Sequence, residues 1–331
     1  MSSFPYANVI PVQKRALGFA KEAVVGTYVP PTFFMPIQTF DPVDMITPLP
    51  VDYLGGSMIT TYGFEQGLKW ATLQAAGDFF PDSWGFPLAG LFGVDDTTGA
   101  SAPYSHKLSL KFNSTGQPTT QSVTDSYGAT NARGYVAAVW DEMVFTFAAD
   151  RLLACSAKGL ALASSTEAVP VPSLTTVLPF PVWQFTLTIA GSATAVMVTN
   201  LVVTISRKSE AIPALTGSQQ PAELFEGYMT ATWHGTILAD PADTGLDYYL
   251  NNTQPSMNIT ATRGTGTGVQ GLTLTSTKVA FESASLRQTG DYLTCDFAGT
   301  AIGNATDVGS QAGEGVITAT LENALPAGTF I

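Results

Sequence analysis

Polar and apolar positions alternate with a period of two along most of this chain. In Tyr228-Met229-Thr230-Ala231-Thr232-Trp233, Met229, Ala231 and Trp233 share one face and Tyr228, Thr230 and Thr232 the other, the pattern of a strand with one buried side. Leu272-Thr273-Leu274-Thr275 repeats it, and residues 143–147, 152–162, 185–189 and 196–205 read as further strands. Glycine and proline, 31 and 21 of them, cut these runs to strand length. Residues 117–127 are extended in type but polar on both faces, through Thr120, Ser122 and Thr124 on one and Gln121 and Asp125 on the other. Burial specifies such a strand weakly, which predicts a wet surface or a flexible loop.

Helical spacing is rare. Trp84, Leu88, Leu91 and Phe92 predict a helix over residues 83–92, with Ser83 as its cap, Pro87 confined to its first turn and Gly93 as its stop. A shorter helix is predicted over residues 244–250. Residues 64–76 fit either a helix or a strand, and the bounding Gly67 and Gly77 favour the strand.

Residues 169–181 contain four prolines, Pro170, Pro172, Pro179 and Pro181, and read as a linker. Similar elements follow in similar order on its two sides. Phe64-Glu65-Gln66-Gly67, a run with Trp70, Asp82 and a helix on one side answer to Phe225-Glu226-Gly227, a run with Trp233, Asp243 and a helix on the other. A strand pair and a last apolar strand group follow in each. The expected organisation is an arm (1–40), a first β half (41–168), the linker and a second, similar β half (182–331).

The arm carries a pattern of its own. Residues 21–37 read K-E-A-V-V-G-T-Y-V-P-P-T-F-F-M-P-I, with Tyr28, Phe33, Phe34 and Met35 set among Pro30, Pro31 and Pro36. Proline fixes φ, removes a donor and extends the preceding residue, so this segment suits neither a helix nor a central strand. Either its own domain or another subunit supplies the surface on which it lies.

Charge narrows the function classes. Charged residues are 12% of the chain and the net charge is −12, which argues against nucleic-acid affinity built on clustered Lys and Arg. Cys155 and Cys295 lie far apart in apolar segments and read as two buried thiols, a single disulfide being the alternative. A signal peptide is not expected at the N-terminus, and no apolar run reaches membrane-spanning length.

Catalytic patterns fail in turn. His106 and His234 have no nucleophile elbow beside them and read as strand-face or surface residues. Asp243-Thr244-Gly245 matches an aspartic-protease triplet, but that chemistry needs a second carboxylate sharing its proton. Gly266-Thr267-Gly268-Val269-Gln270-Gly271 precedes a strand, not a helix, so it reads as a hairpin turn and not a phosphate loop. Asp95-Asp96 reads as a solvated loop, and Asp141 and Glu142, adjacent on a strand, point to opposite faces. No enzyme, cofactor or metal site is expected.

With chemistry set aside, Glu22-Ala23-Val24-Val25-Gly26-Thr27-Tyr28-Val29-Pro30-Pro31-Thr32-Phe33-Phe34-Met35-Pro36-Ile37 resembles the opening of the tail tube, or major tail, proteins of long-tailed bacteriophages. The helix ending Leu88-Ala89-Gly90-Leu91-Phe92-Gly93, then Gly134-Tyr135, the strands over residues 140–154 and the strand over 227–238 continue the resemblance. It implies a mainly β sandwich or barrel-like subunit, here in two similar halves with one or two flanking helices and an extended N-terminal arm. It further implies stacked rings of three pseudo-hexameric or six chains, around a channel through which DNA passes without specific binding. Expected partners are other copies and the tape-measure, terminator and distal tail proteins, with no membrane, in a virion tail assembled in the host cytoplasm. Tyr28, Phe33, Phe34, Met35 and Pro36 are then the expected inter-subunit contacts, and Asp125, Asp141 and Glu142 candidates for an acidic lumen. The competing readings are another β-rich virion protein (a capsid decoration, fibre or adhesin) and a carbohydrate-active β-sandwich enzyme. The latter needs exposed aromatics, whereas Trp70, Trp84, Trp140, Trp183 and Trp233 sit mostly in apolar segments.

Overall fold

A computed structural model describes residues 11–331 apart from 54, 56–57, 129–130, 192–195 and 240–243. The strands before the proline-rich segment are β1 (Ala16–Lys21), β2 (Phe33–Met35), β3 (Thr39–Phe40), β4 (Val43–Asp52), β5 (Thr61–Asp78), β6 (Gly93–Thr98), β7 (Tyr104–Leu110), β8 (Gln121–Ser126), β9 (Ala132–Ala148), β10 (Ala154–Leu162) and β11 (Ser165–Glu167). After it come β12 (Thr186–Ile189), β13 (Val198–Ile212), β14 (Glu223–Leu238), β15 (Met257–Arg263), β16 (Gln270–Ser276), β17 (Val279–Thr289), β18 (Tyr292–Ala301) and β19 (Thr318–Asn323). Helix α1 (Gly85–Phe92) lies between β5 and β6, and α2 (Thr244–Leu250) between β14 and β15.

These strands form two antiparallel sheets with no closed barrel, consistent with a β-sandwich. The larger runs β17-β18-β14-β13-β9-β10-β5-β3, with β4 continuing β3 along β5; the smaller runs β12-β15-β16-β19-β7-β6. Both sheets cross the proline-rich segment, through β9 with β13 and β7 with β19. Residues 169–181 lie extended on the body and do not hang free. Phe180 is fully buried, and its backbone bonds Leu153 and Phe79.

The predicted helix 83–92 is α1, fully buried and stopped by Gly93 at φ 87°, the left-handed cap that glycine favours. Ser83 does not cap it; its hydroxyl turns to the Phe80 carbonyl and Asp82 instead. A Cβ on Gly90 would stand 2.6 Å from Trp140, so glycine there lets the helix lie on β9. Trp84, Trp140 and Trp233 are fully buried, while Trp183 is 75% exposed. The turn after Thr265 is one 3-10 turn between β15 and β16, the hairpin that the glycines predict.

The pairing pattern of the large sheet occurs twice. The run β4-β5-β10-β9 is matched by β13-β14-β18-β17 in the same order, with α1 packed on β9 and α2 on β17. Irregularities recur too. β9 is bulged at Asp141 opposite Lys158/Gly159, and β17 at Glu282 opposite Ala298/Gly299. Such a bulge inserts one residue and bends its strand. A second break falls at Gly67 in β5, where a Cβ would meet the Thr47 carbonyl at 3.1 Å, and at Gly227 in β14, where it would meet the Lys208 carbonyl at 3.1 Å. In this correspondence Cys155 matches Cys295; both are buried thiols, not bonded to one another.

Candidate assembly surface

The N-terminal segment begins on the chain's own body. β1 lies between β2 and β8, pairing Gly18 with both Phe34 and Thr124. Prolines 31 and 36 flank β2 and do not interrupt it, so the segment supplies a three-residue edge strand and neither a helix nor a central strand. Phe34 and Met35 are 4% and 1% exposed, Phe33 meets Phe86 in a tilted contact with ring centroids 5.4 Å apart, and Pro36 is half-buried. The Tyr28 hydroxyl meets that of Thr124 at 3.0 Å. Among the arm's apolar side chains, Val24 and Val25 remain 65% and 71% exposed.

This packing overturns the wet-surface expectation for residues 117–127, because all six residues of β8 are buried. Their polar groups are satisfied from far along the chain. Buried Glu22 accepts from Ser122 Oγ at 2.9 Å, Thr120 Oγ1 at 2.7 Å, Ala137 N at 2.8 Å and Gly26 N at 2.9 Å. The Gln121 amide donates to the Phe86 carbonyl at 2.7 Å and accepts from Trp140 Nε1 at 3.1 Å. A buried carboxylate persists only when it is bonded in this way. Local alternation cannot reveal this arrangement, although Glu22 stands at the head of the family-like segment.

The three acidic candidates separate. Asp125 is gripped by Arg15 through two bonds of 2.7 and 2.8 Å, its side chain 5% exposed, and so cannot face open water. Asp141 accepts from Ser209 Oγ at 3.1 Å, and burial raises its pKa. It sits where β9 meets β13 and β14, beside the buried pair Arg207–Glu226 at 2.7 Å. Burial pushes the Glu226 carboxyl well up and the Arg207 guanidinium down, each opposed by the other. Arg207 also donates to the Leu91 carbonyl at the end of α1 and to the Gly227 carbonyl, both at 3.1 Å. Glu142, on the other side of the bulge, is paired with Lys158 at 2.6 Å.

Glu142 lies on the face of the large sheet turned away from the core. Thr300, Thr232, Thr204, Val144 and Ser156 form one row across it, and Thr230, Ser206, Glu142 and Lys158 another. Hydroxyls bond along it, Ser206 to Thr230 at 2.9 Å and Thr236 to Asp296 at 2.7 Å. Asp296 is also paired with Arg287 at 2.8 Å. The face is hydroxyl-rich; Glu142 and Asp296 are matched by in-chain bases, and Glu282 accepts from the Thr300 hydroxyl at 2.5 Å.

The most exposed apolar surface is one that sequence reasoning missed. Every residue of β4 is exposed, and its ribbon with the first half of β5 presents Met45, Ile46, Leu49, Val51, Ile59 and Phe64 at 39–69% exposure. Pro48 and Pro50 disguise the alternation that marks β4 as a strand, and proline is tolerated on an edge.

Of the two readings of His106, the strand-face one holds: it lies in β7 and is fully buried, where Nδ1 meets Asp95 Oδ2 at 2.9 Å and Nε2 the Leu325 carbonyl at 2.8 Å. The loop reading of the adjacent acids needs correction. Asp95 and Asp96 lie in β6 and not in a loop; Asp96 accepts from Ser310 Oγ at 2.6 Å. Two acceptors at one imidazole hold both ring protons, so His106 ties β7 to the C-terminal segment. Burial pulls its pKa down, but Asp95 and the Leu325 carbonyl raise it overall. Asp243 of the protease-like triplet lies outside the described residues. Among those described, no three His, Cys, Asp or Glu side chains gather to hold a metal. No helix there is long and apolar enough to cross a membrane.

A two-layer β body with one bare polar sheet face and a projecting apolar ribbon is suited to assembly. The family of phage tail tube proteins matches residues 13–322, nearly the whole chain. The chain belongs to that family. A search of curated proteins finds no significant match. Family membership makes this a structural component of a phage tail.

Proposed function

We propose that this tail tube protein polymerises into stacked rings whose bore conducts DNA during ejection. The observation that carries this reading is the bare polar face of the large sheet in a tail tube family member. It has the character of a water-filled barrel interior, and with its charges paired it offers DNA phosphates few free cations to hold them. Glu142 belongs to that lining. Asp141 and Asp125 are inner structural acids, so a slippery bore rests on hydroxyls and paired charge more than on exposed carboxylates.

The recurrence of strand order, bulges and close glycines supports two copies of one unit in the chain. Three chains then make a pseudo-hexameric ring. Contacts between rings fall to the apolar β4–β5 ribbon and to Val24, Val25 and the exposed rims of Tyr28, Phe33 and Pro36. Phe34 and Met35 are committed to the subunit's own core. Rings and tubes seen by electron microscopy of the purified protein would support this reading; a folded protein that stays monomeric at every concentration would overturn it. Docking to tape-measure, terminator and distal tail proteins, in the host cytoplasm, is part of the same proposal.

A further inference from the structure

The large sheet ends in two strands with one free side each. Among the described residues, β17 pairs only with β18, and β3 and β4 only with β5. Residues 282–283 and 285–289 are exposed, as is all of β4. Unpaired edges of this kind are templates for another strand. The chain itself contains one filled example, because β9 pairs with β13 from Asn200 opposite Ala148 to Ser206 opposite Glu142. In the recurring pattern β17 corresponds to β9, fixed by the bulges at Glu282 and Asp141. Likewise β3 with β4 corresponds to β13, fixed by the breaks beside Gly67 and Gly227.

We propose that the β17 edge of one copy pairs antiparallel with the β3–β4 edge of a second copy, Thr289 opposite Thr39 and Ser283 opposite Met45. This register is the internal one carried over through the two pairs of irregularities. It sets Ser285 against Val43 and Arg287 against Asp41, so opposite charges meet on the polar face. The two patches differ from one another, so the contact is heterologous; repeated, it closes into a ring when its rotation divides a full turn, as the ring reading requires. The inter-copy ladder is weaker than the internal one at one point. Asp41 N bonds the Gln74 carbonyl, so the next nitrogen, that of Pro42, faces the free side without a proton. A missing donor there also discourages edge-to-edge pairing with wrong partners.

The proposal rests on the ring reading above, and the test separates the two. Asp41 points its amide inward, so Asp41 and Val43 occupy the closer, non-hydrogen-bonded positions toward a neighbour. Val43→Cys and Ser285→Cys are both substitutions at exposed sites. Mixed and mildly oxidised as assembled protein, the two variants should give a disulfide-linked dimer that neither gives alone. Val43→Cys mixed with Ser283→Cys, two residues out of register, should give at least tenfold less. Wild-type protein, with Cys155 and Cys295 buried, serves as the background lane. Rings or tubes by microscopy without a Val43–Ser285 cross-link above that control would overturn the edge joint while leaving the tube reading intact. No ring or tube from the wild type would overturn both.

Discussion

The joint inside the chain and the matching positions at its free ends are built on one frame but differ in charge. Where β9 meets β13 and β14, Asp141, Arg207 and Glu226 are gathered around an ion pair with side chains 3% and 0% exposed. The corresponding positions at the free ends are Glu282, Ile46 and Gln66. An ion pair loses much solvation on burial, and only a fixed cage of carbonyls and hydroxyls makes up for it. The internal joint forms once, on folding, with the Leu91, Gly116 and Gly227 carbonyls around Arg207 and the Ser209 hydroxyl on neighbouring Asp141. An edge that waits in water for a partner cannot keep such a cage preorganised, and it presents apolar and singly charged groups instead.

Breaking the internal joint gives the largest expected effect. Arg207→Met leaves Glu226 buried without its partner and should lower unfolding free energy by about 3–5 kcal/mol in urea titration. Arg207→Met with Glu226→Leu should recover most of that loss. Failure to recover would make the hydrogen bonds of Arg207 to the carbonyls, and not the charge pair, the dominant interaction.

The bulge glycines sharpen the comparison between halves. A Cβ at Gly159 would stand 2.2 Å from the Val139 carbonyl, and one at Gly299 would stand 2.8 Å from Val279 Cγ1 and 3.1 Å from the Ala280 carbonyl. Alanine at each should destabilise the protein by roughly 1–3 kcal/mol, more at Gly159, where backbone must move. An unchanged melting temperature for alanine at either glycine would argue against a shared bulge geometry.

His106 belongs to the first half alone. Its folded pKa is raised above 6.5, so its contribution to stability is full below the unfolded value and is lost as pH rises through the folded one. The melting-temperature gap between wild type and His106→Gln should therefore narrow on going from about pH 6 to about pH 9. A gap that widens would contradict the protonated His106–Asp95 tie.

The smallest effect on the isolated subunit falls on the ribbon. Ile46→Ser with Leu49→Ser should change unfolding free energy by less than about 0.5 kcal/mol per site, as for exposed positions, while suppressing filament formation seen by light scattering. Normal filaments would remove the ribbon from the assembly contacts.

How much of this was legible in the sequence follows from where each residue finds its partners. Met229, Ala231 and Trp233 announce β14 because their burial is local to the strand, and Gly93 announces the end of α1 by its own conformation. Residues 121–126 mislead because Glu22, Tyr28 and Arg15, about a hundred positions away in the chain, satisfy their polar groups. Phe34 and Met35 look like a free sticky patch because β1, the strand that they cover, is itself recruited by β8. The recurrence of the pairing order, with bulges at Asp141 and Glu282, is faint in residue identity because no residue-type pattern records it.

The central claim is a tube whose bore is walled by the polar face of the large sheet. An averaged cryo-electron microscopy cross-section of filaments grown from the purified protein tests it directly. The account predicts six similar lobes from three chains around an open bore, with Glu142, Thr204 and Thr232 facing inward. A filament without a bore, or one in which that face is buried against another layer, would contradict it.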